Sequence, residues 1–168
     1  MSEQDLSLTD AIQMALESEK KAVAAYSTAA EKSSHEALQQ LFSGLAEYEQ
    51  QHYDKVAALA ASLARKGKHI VYEASSITIA PQSEIELSGV GEDVLNGMKV
   101  SLMDVLTLAQ GIEQQLGKRY AALAEQTSDR DGRAMFQRLA KEEQGHLKLL
   151  TTVYWNLNDR GVLAWPGL

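Results

Sequence analysis

Apolar residues return every three or four positions along most of this chain, and the points where that rhythm starts and stops define its elements. From 7 to 32 the recurring positions are Ile12, Ala15, Leu16, Ala22, Val23, Tyr26 and Ala30, the spacing of one helix face. Ser7 stands where an N-cap belongs, and Ser33 with Glu36 forms a capping-box pattern that restarts a second helix. Leu38, Leu41, Phe42, Leu45, Val56, Leu59 and Leu63 carry its stripe to about Arg65, and Gly67 is a natural stop. A third helix shows Val100, Met103, Leu106, Ala109, Leu116, Tyr120, Leu123 and Ala124 on one face. TSDRDG at 127–132 offers a short turn and caps, and a fourth helix carries Met135, Phe136, Leu139, Leu149, Leu150, Val153 and Leu157.

Between the second and third helices the pattern changes. Residues from about 67 to 92 show strand-like alternation in places, Pro81 and the glycines Gly89 and Gly91 after Gly67, with little helical periodicity. The chain therefore predicts an all-α four-helix bundle of two helical hairpins, about 7–66 and 93–158, joined by a crossover at about 67–92 and followed by a tail at 159–168. Helices of roughly 28 residues are about 42 Å long, and roughly 25 extended residues reach about 80 Å. The crossover can run the length of the bundle, which makes the second and third helices parallel.

Bulk properties narrow the class. A chain of 168 residues is long enough for one substantial core. With 45 % hydrophobic and 23 % charged residues it reads as an ordinary globular protein. A formal charge of −7 and a pI near 5.1 argue against nucleic acid or an anionic membrane as partner, because phosphate binding needs a basic surface. The absence of cysteine excludes disulfides, thiol chemistry and metal–thiolate sites. The acidic start MSEQDLSLTD lacks the layout of a signal peptide. VAALAASLA at 56–64 is too short to span a bilayer. A cytoplasmic address is expected.

Against this pattern, two short stretches break the apolar stripe: EYEQQH at 47–52 and KEEQGH at 141–146. They are the same feature repeated. An offset of 94 residues superposes the two halves without a gap, placing Phe136 on Phe42, Leu139 on Leu45, Glu143 on Glu49 and His146 on His52. Upstream it places Glu113 on Glu19 and Tyr120 on Tyr26. Each half thus reads Glu and, thirty residues on, Glu-x-x-His: a duplicated helical hairpin.

Glu19 falls among Ala15, Leu16, Ala22 and Val23, and Glu49 and His52 fall between Leu45 and Val56. Glu113, Glu143 and His146 do the same in the second half. Residues at i and i+3 share a helix face, so each Glu-x-x-His aims two donors to one side. One such pair alone would read as a helical hydrogen bond. Four carboxylates and two imidazoles at one level inside a bundle cannot remain uncompensated, because each buried ion costs several kcal/mol. Two divalent cations match four carboxylates in charge, and the donor set suits iron or manganese, with zinc also admitted.

A glutamate from two helices and Glu-x-x-His from two others is the di-iron carboxylate arrangement of ferritin-like bundles. Over roughly 8–157 the chain resembles that superfamily and, within it, the rubrerythrin-like family. The likeness rests on ESEKKAVAAY leading to LFSGLAEYEQQH, and on GIEQQLGKRY leading to MFQRLAKEEQGH. The resemblance implies a pair of irons held by Glu19, Glu49, His52, Glu113, Glu143 and His146, with Glu49 and Glu143 bridging, Glu19 and Glu113 terminal and one histidine on each ion. It also implies an oxidoreductase reacting with peroxide or oxygen in oxidative-stress defence, and a homodimer. Two features depart from the family. No cysteine is present for a rubredoxin-type domain, and Leu116 occupies the position of an additional carboxylate found in peroxide-reducing members. Electrons are then expected from an external donor, or from ferrous iron itself in a ferroxidase or iron-handling protein. A di-iron hydroxylase of an organic substrate is a further alternative and needs an apolar pocket beside the metals.

The remaining residues divide more simply. Tyr26 and Tyr120, two turns from the lone glutamates, suit either core packing or a hydrogen bond to a ligand across the bundle. Gln110 reads as a polar residue at the core edge with a possible role behind the ligands. His35 and His69 read as surface residues, and Met14, Met98, Met103 and Met135 as core or near-core fillers. Gly111, Gly117 and Gly145 cost helix stability and offer close helix approach or ligand movement in return.

Overall fold

The computed structural model describes residues 7–65, 85–86 and 92–165. Four helices, α1 (Leu8–Lys32), α2 (Glu36–Ala64), α3 (Glu92–Gln126) and α4 (Arg130–Arg160), are accompanied by two short strands, β1 (Ile85–Glu86) and β2 (Val162–Leu163). The predicted crossover, with Gly67, His69 and Pro81, lies outside the described residues except for β1 and the start of α3, as does Pro166.

The helix ends follow local chemistry. Ser7 caps α1 by accepting the backbone N–H of Asp10, and Asp129 caps α4 by accepting that of Gly132 at 2.7 Å. A Cβ at position 132 would meet Leu8 Cδ1 at 2.5 Å, so the end of that leucine side chain would have to shift to admit one. The capping box expected at Ser33 and Glu36 does not form: His35 is the N-cap of α2 and makes no side-chain cap bond. Ser33 instead ends α1, and its hydroxyl accepts the backbone N–H of His35 at 3.3 Å, so the hydroxyl is spent on the three-residue link. Gly161 stops α4 at φ 64, the left-handed conformation glycine adopts without Cβ strain.

Two apolar clusters fill the bundle. One joins Tyr26, Leu38, Leu41, Phe42 and Leu45 to Leu102, Leu106, Leu150, Val153 and Leu157. The other joins Ala11, Ile12, Ala15 and Leu59 to Leu116, Tyr120, Leu123, Phe136 and Leu139. The first holds the end of α1, the start of α2, the start of α3 and the end of α4; the second holds the opposite ends. Hence α2 runs parallel to α3, as the crossover length predicts. Aromatic pairs repeat with the duplication: Tyr26 stacks on Phe42 at 6.1 Å, and Tyr120 on Phe136 at 6.3 Å.

Several positions differ from the periodic reading. Leu63 and Met14 are exposed, at 43 % and 41 %: Leu63 lies in the last turn of α2, and Met14 sits on the outer face of α1, so neither has a neighbouring helix to cover it. Met135 is buried and Met103 packs against the first cluster, whereas the side chain of Met98 lies outside the described residues. No atom comes within 4 Å of a Cβ built on Gly111 or Gly145, and at Gly117 the contact would be an ordinary 3.5 Å, so close helix approach explains none of them. The C-terminal segment adds a feature that helical periodicity omits. After Gly161, β2 pairs antiparallel with β1, Ile85 opposite Leu163 and Glu86 opposite Val162, and Val162, Leu163, Ala164 and Trp165 are buried.

Candidate metal centre

Glu19, Glu49, His52, Glu113, Glu143 and His146 come together between the two apolar clusters, every one of them at most 2 % exposed. Their depth follows from the chain. Each lone glutamate sits near the middle of its helix, on the stripe that helical spacing turns inward, and each Glu-x-x-His lies at the same height on the antiparallel helix that follows. Two groups of four result, Glu19/Glu49/His52/Glu143 and Glu49/Glu113/Glu143/His146, within each of which the donor atoms lie within 4.8 Å of one another. Glu49 and Glu143 belong to both.

Distances inside the cluster repeat with the duplication. His52 Nδ1 stands 3.2 Å from Glu49 Oε2 and 3.1 Å from Glu143 Oε1; His146 Nδ1 stands 3.1 Å from Glu143 Oε2 and 3.3 Å from Glu49 Oε1. The two rings stack at 5.7 Å. Tyr26 of α1 donates its hydroxyl to Glu113 of α3, and Tyr120 of α3 donates to Glu19 of α1. Both tyrosines are therefore core aromatics and hydrogen-bond donors at once. Gln110 donates to Thr151 Oγ1 at 3.1 Å, which accounts for its place at the core edge. His35 is half-buried at the start of α2, and His69 lies outside the described residues.

Electrostatics divides the carboxylates into two kinds. Burial pushes Glu19 well above the usual carboxylate range, and the charges of Glu49 and Glu143 add to it. Burial and the same two charges carry Glu113 up to about 8, against the opposing pull of His146. Glu49 and Glu143 feel equal burial, but their bonds and charge interactions with both histidines outweigh it and hold them below the usual range. His52 and His146 are raised in turn: burial works to lower them, and the surrounding carboxylates win. Tyr26 and Tyr120 are raised by burial and by the glutamate each one faces.

The residues fit a metal pair. One oxygen of each of the four carboxylates (Glu19 Oε2, Glu49 Oε1, Glu113 Oε2, Glu143 Oε1) is buried without a hydrogen bond, although all but Glu19 Oε2 lie within ion-pair distance of an imidazole nitrogen. Buried acceptors are ordinarily satisfied, and four unsatisfied ones converging at a single level form the donor set of a cation site. Two residues behind the ligands escaped the sequence reading. Glu142 Oε2 lies 2.8 Å from His52 Nε2, and the ring of Tyr48 lies 4.9 Å from that of His146. The only sequence signal for the first is the doubled glutamate in KEEQGH.

An apolar cavity of about 410 Å³ lies between α1 and α3, reaching Tyr26, Phe42, Ala109 and Ile112 but none of the six clustered residues. No helix among the described residues is long and apolar enough to cross a membrane.

A duplicated four-helix bundle with a buried Glu/His cluster at mid-height is the ferritin-like architecture, and its two donor quartets could each hold a metal ion. The rubrerythrin family model matches residues 1–60, the stretch that holds α1 and most of α2. A solved structure of a hypothetical protein from Pyrococcus furiosus is similar over 93 % of each chain, at 26 % identity and a TM-score of 0.64. No curated protein matches the chain.

Proposed function

We propose that the chain is a non-haem di-iron (or di-manganese) oxidoreductase that consumes peroxide or oxygen in oxidative-stress defence. The observation that supports this reading most is the pair of buried donor quartets sharing Glu49 and Glu143. Glu49 and Glu143 would bridge the two ions, Glu19 with His52 would complete one position, and Glu113 with His146 the other. When bound, a pair of redox-active ions supplies the electrons for two-electron reduction of peroxide to water, and stabilises charge developing on both oxygen atoms.

The chain's own residues do the rest. Tyr26 and Tyr120 hold Glu113 and Glu19 by their hydroxyls, which limits where each terminal carboxylate can swing. The apolar clusters above and below keep bulk water from the site, so ligand charges act at low dielectric.

Iron handling with ferroxidase activity is a second reading. It is favoured by Leu116, buried in the second apolar cluster, at the position where peroxide-reducing rubrerythrins carry a further carboxylate. Stopped-flow mixing of the di-ferrous protein with peroxide and with oxygen separates the two. Faster oxidation by peroxide, with iron retained, supports the peroxidase reading. Preferential reaction with oxygen and release of ferric iron would replace it with the second.

A further inference from the structure

The six clustered residues follow the two-fold symmetry of the duplication, but the groups behind the imidazoles do not. Positions 48 and 142 are equivalent under the 94-residue offset, yet one is tyrosine and the other glutamate. His52 Nε2 lies 2.8 Å from Glu142 Oε2, which reaches across from α4. His146 instead packs its ring against Tyr48 of α2, tilted by 59°. Among the described residues no carboxylate stands at His146 Nε2.

We propose that Glu142 is a positioning residue for His52 that makes the two metal positions unequal. The Glu19/Glu49/His52/Glu143 position then fills before the Glu49/Glu113/Glu143/His146 position. This rests on the di-metal reading above.

Both histidines face the cluster with Nδ1, so Nε2 is the outer nitrogen. An acceptor on Nε2 keeps a proton there, and when a cation displaces the other proton the Nδ1 lone pair is already aimed at it. The same bond fixes the ring's rotation, and the carboxylate's charge makes the imidazole a better donor. Tyr48 presents its ring to His146 and supplies neither a tautomer lock nor a charge. Glu142 is also a fourth carboxylate close to the first position, where the second has three. Its side chain, 21 % exposed, reaches the cluster from the rim. Loss of such an outer partner typically weakens metal binding about 10–100-fold.

The test is an anaerobic titration of the metal-free full chain with Co(II), a ferrous stand-in that does not turn over, followed by visible absorption and calorimetry. The wild-type chain should take up two equivalents in two resolved steps. Glu142→Ala should weaken the first step by about 10–100-fold and leave the second in place. Glu142→Gln, which keeps an acceptor oxygen without the charge, should fall between. Tyr48→Glu supplies the mirrored carboxylate and should draw the second step toward the first, whereas Tyr48→Phe should move neither. In the Co(II) form, one slowly exchanging imidazole N–H resonance should disappear in Glu142→Ala. Two indistinguishable steps in the wild type, or equal weakening of both steps by Glu142→Ala and Glu142→Gln, would overturn the proposal. Absence of any Co(II) pair in the wild type would instead refute the di-metal reading beneath it.

Discussion

Loading the site with divalent metal should release about four protons per chain at neutral pH and so stabilise the fold more as pH rises. In the metal-free cluster, burial and the neighbouring charges favour the neutral form of Glu19 and Glu113, the ionised form of Glu49 and Glu143, and the protonated form of both histidines. The buried charges cancel. Two divalent ions bring four positive charges, and neutrality is kept when two carboxyl protons and one proton from each imidazolium leave. Each proton displaced makes binding pH-dependent by about 1.4 kcal/mol per unit, so the overall two-ion constant should gain up to ~10⁴-fold per pH unit below about pH 8, where Glu113 titrates. The metal-free fold should respond with the opposite sign. Glu113 is raised from 4.5 to about 8, so its contribution is full below the unfolded value and is lost as pH climbs through that window. Glu19 moves the same way, and the histidines add to the loss above 6.5. Glu49 and Glu143 oppose it only in acid, where their contribution disappears as they protonate. Melts of metal-free and Mn(II)-loaded protein at pH 5.5 and 7.5 provide the assay, with calorimetry in two buffers of different ionisation enthalpy to count protons. A fixed metal concentration, about a hundred times the dissociation constant at pH 7.5, should stabilise by about 2.7 kcal/mol there, a rise in Tm of about 5–10 °C for a domain of this size, and by less at pH 5.5. Release of fewer than about two protons per pair, or a stabilisation that does not grow from pH 5.5 to 7.5, would refute this charge balance.

Further predictions follow from the same geometry. Glu49→Ala or Glu143→Ala should abolish binding of both ions, because each residue serves both quartets, whereas Glu19→Ala should leave about one ion per chain; His35→Ala and His69→Ala should leave the pair intact, all by metal analysis of the purified protein. Tyr26→Phe and Tyr120→Phe should each destabilise the metal-free protein by about 1–3 kcal/mol in urea unfolding, since each leaves a buried carboxyl without its partner. An unaffected midpoint in both would deny those bonds. Gly161→Ala should cost about 1–2 kcal/mol for a Cβ at φ 64, and an unchanged chemical-denaturation midpoint would contradict it.

The bundle was legible because helical periodicity reports which face of a segment turns inward, and four segments with four stripes leave few ways to bury them. The six clustered residues were legible for a different reason. A polar residue on an apolar stripe is costly, and the 94-residue repeat shows the same violation twice, at Glu19 with Glu113 and at Glu49/His52 with Glu143/His146. What periodicity cannot report is which side chain meets which across the bundle. The crossed bonds from Tyr26 to Glu113 and from Tyr120 to Glu19 depend on α1 and α3 lying side by side. Glu142 is the sharper case. It lies at the edge of α4's buried face, where a glutamate reads as solvated, and it gains its partner only because α2 brings His52 within reach. Helix ends were decided at the same level: Ser33 could cap α2 by sequence but bonds to the link before it, and the exposed Leu63 and Met14 follow the stripe without a neighbour to cover them. The burial of Leu163 and Trp165 also waits on tertiary packing, since both join the first apolar cluster of the bundle. Local pattern set which faces are buried; the packing of one helix against another decided the partners each buried group finds.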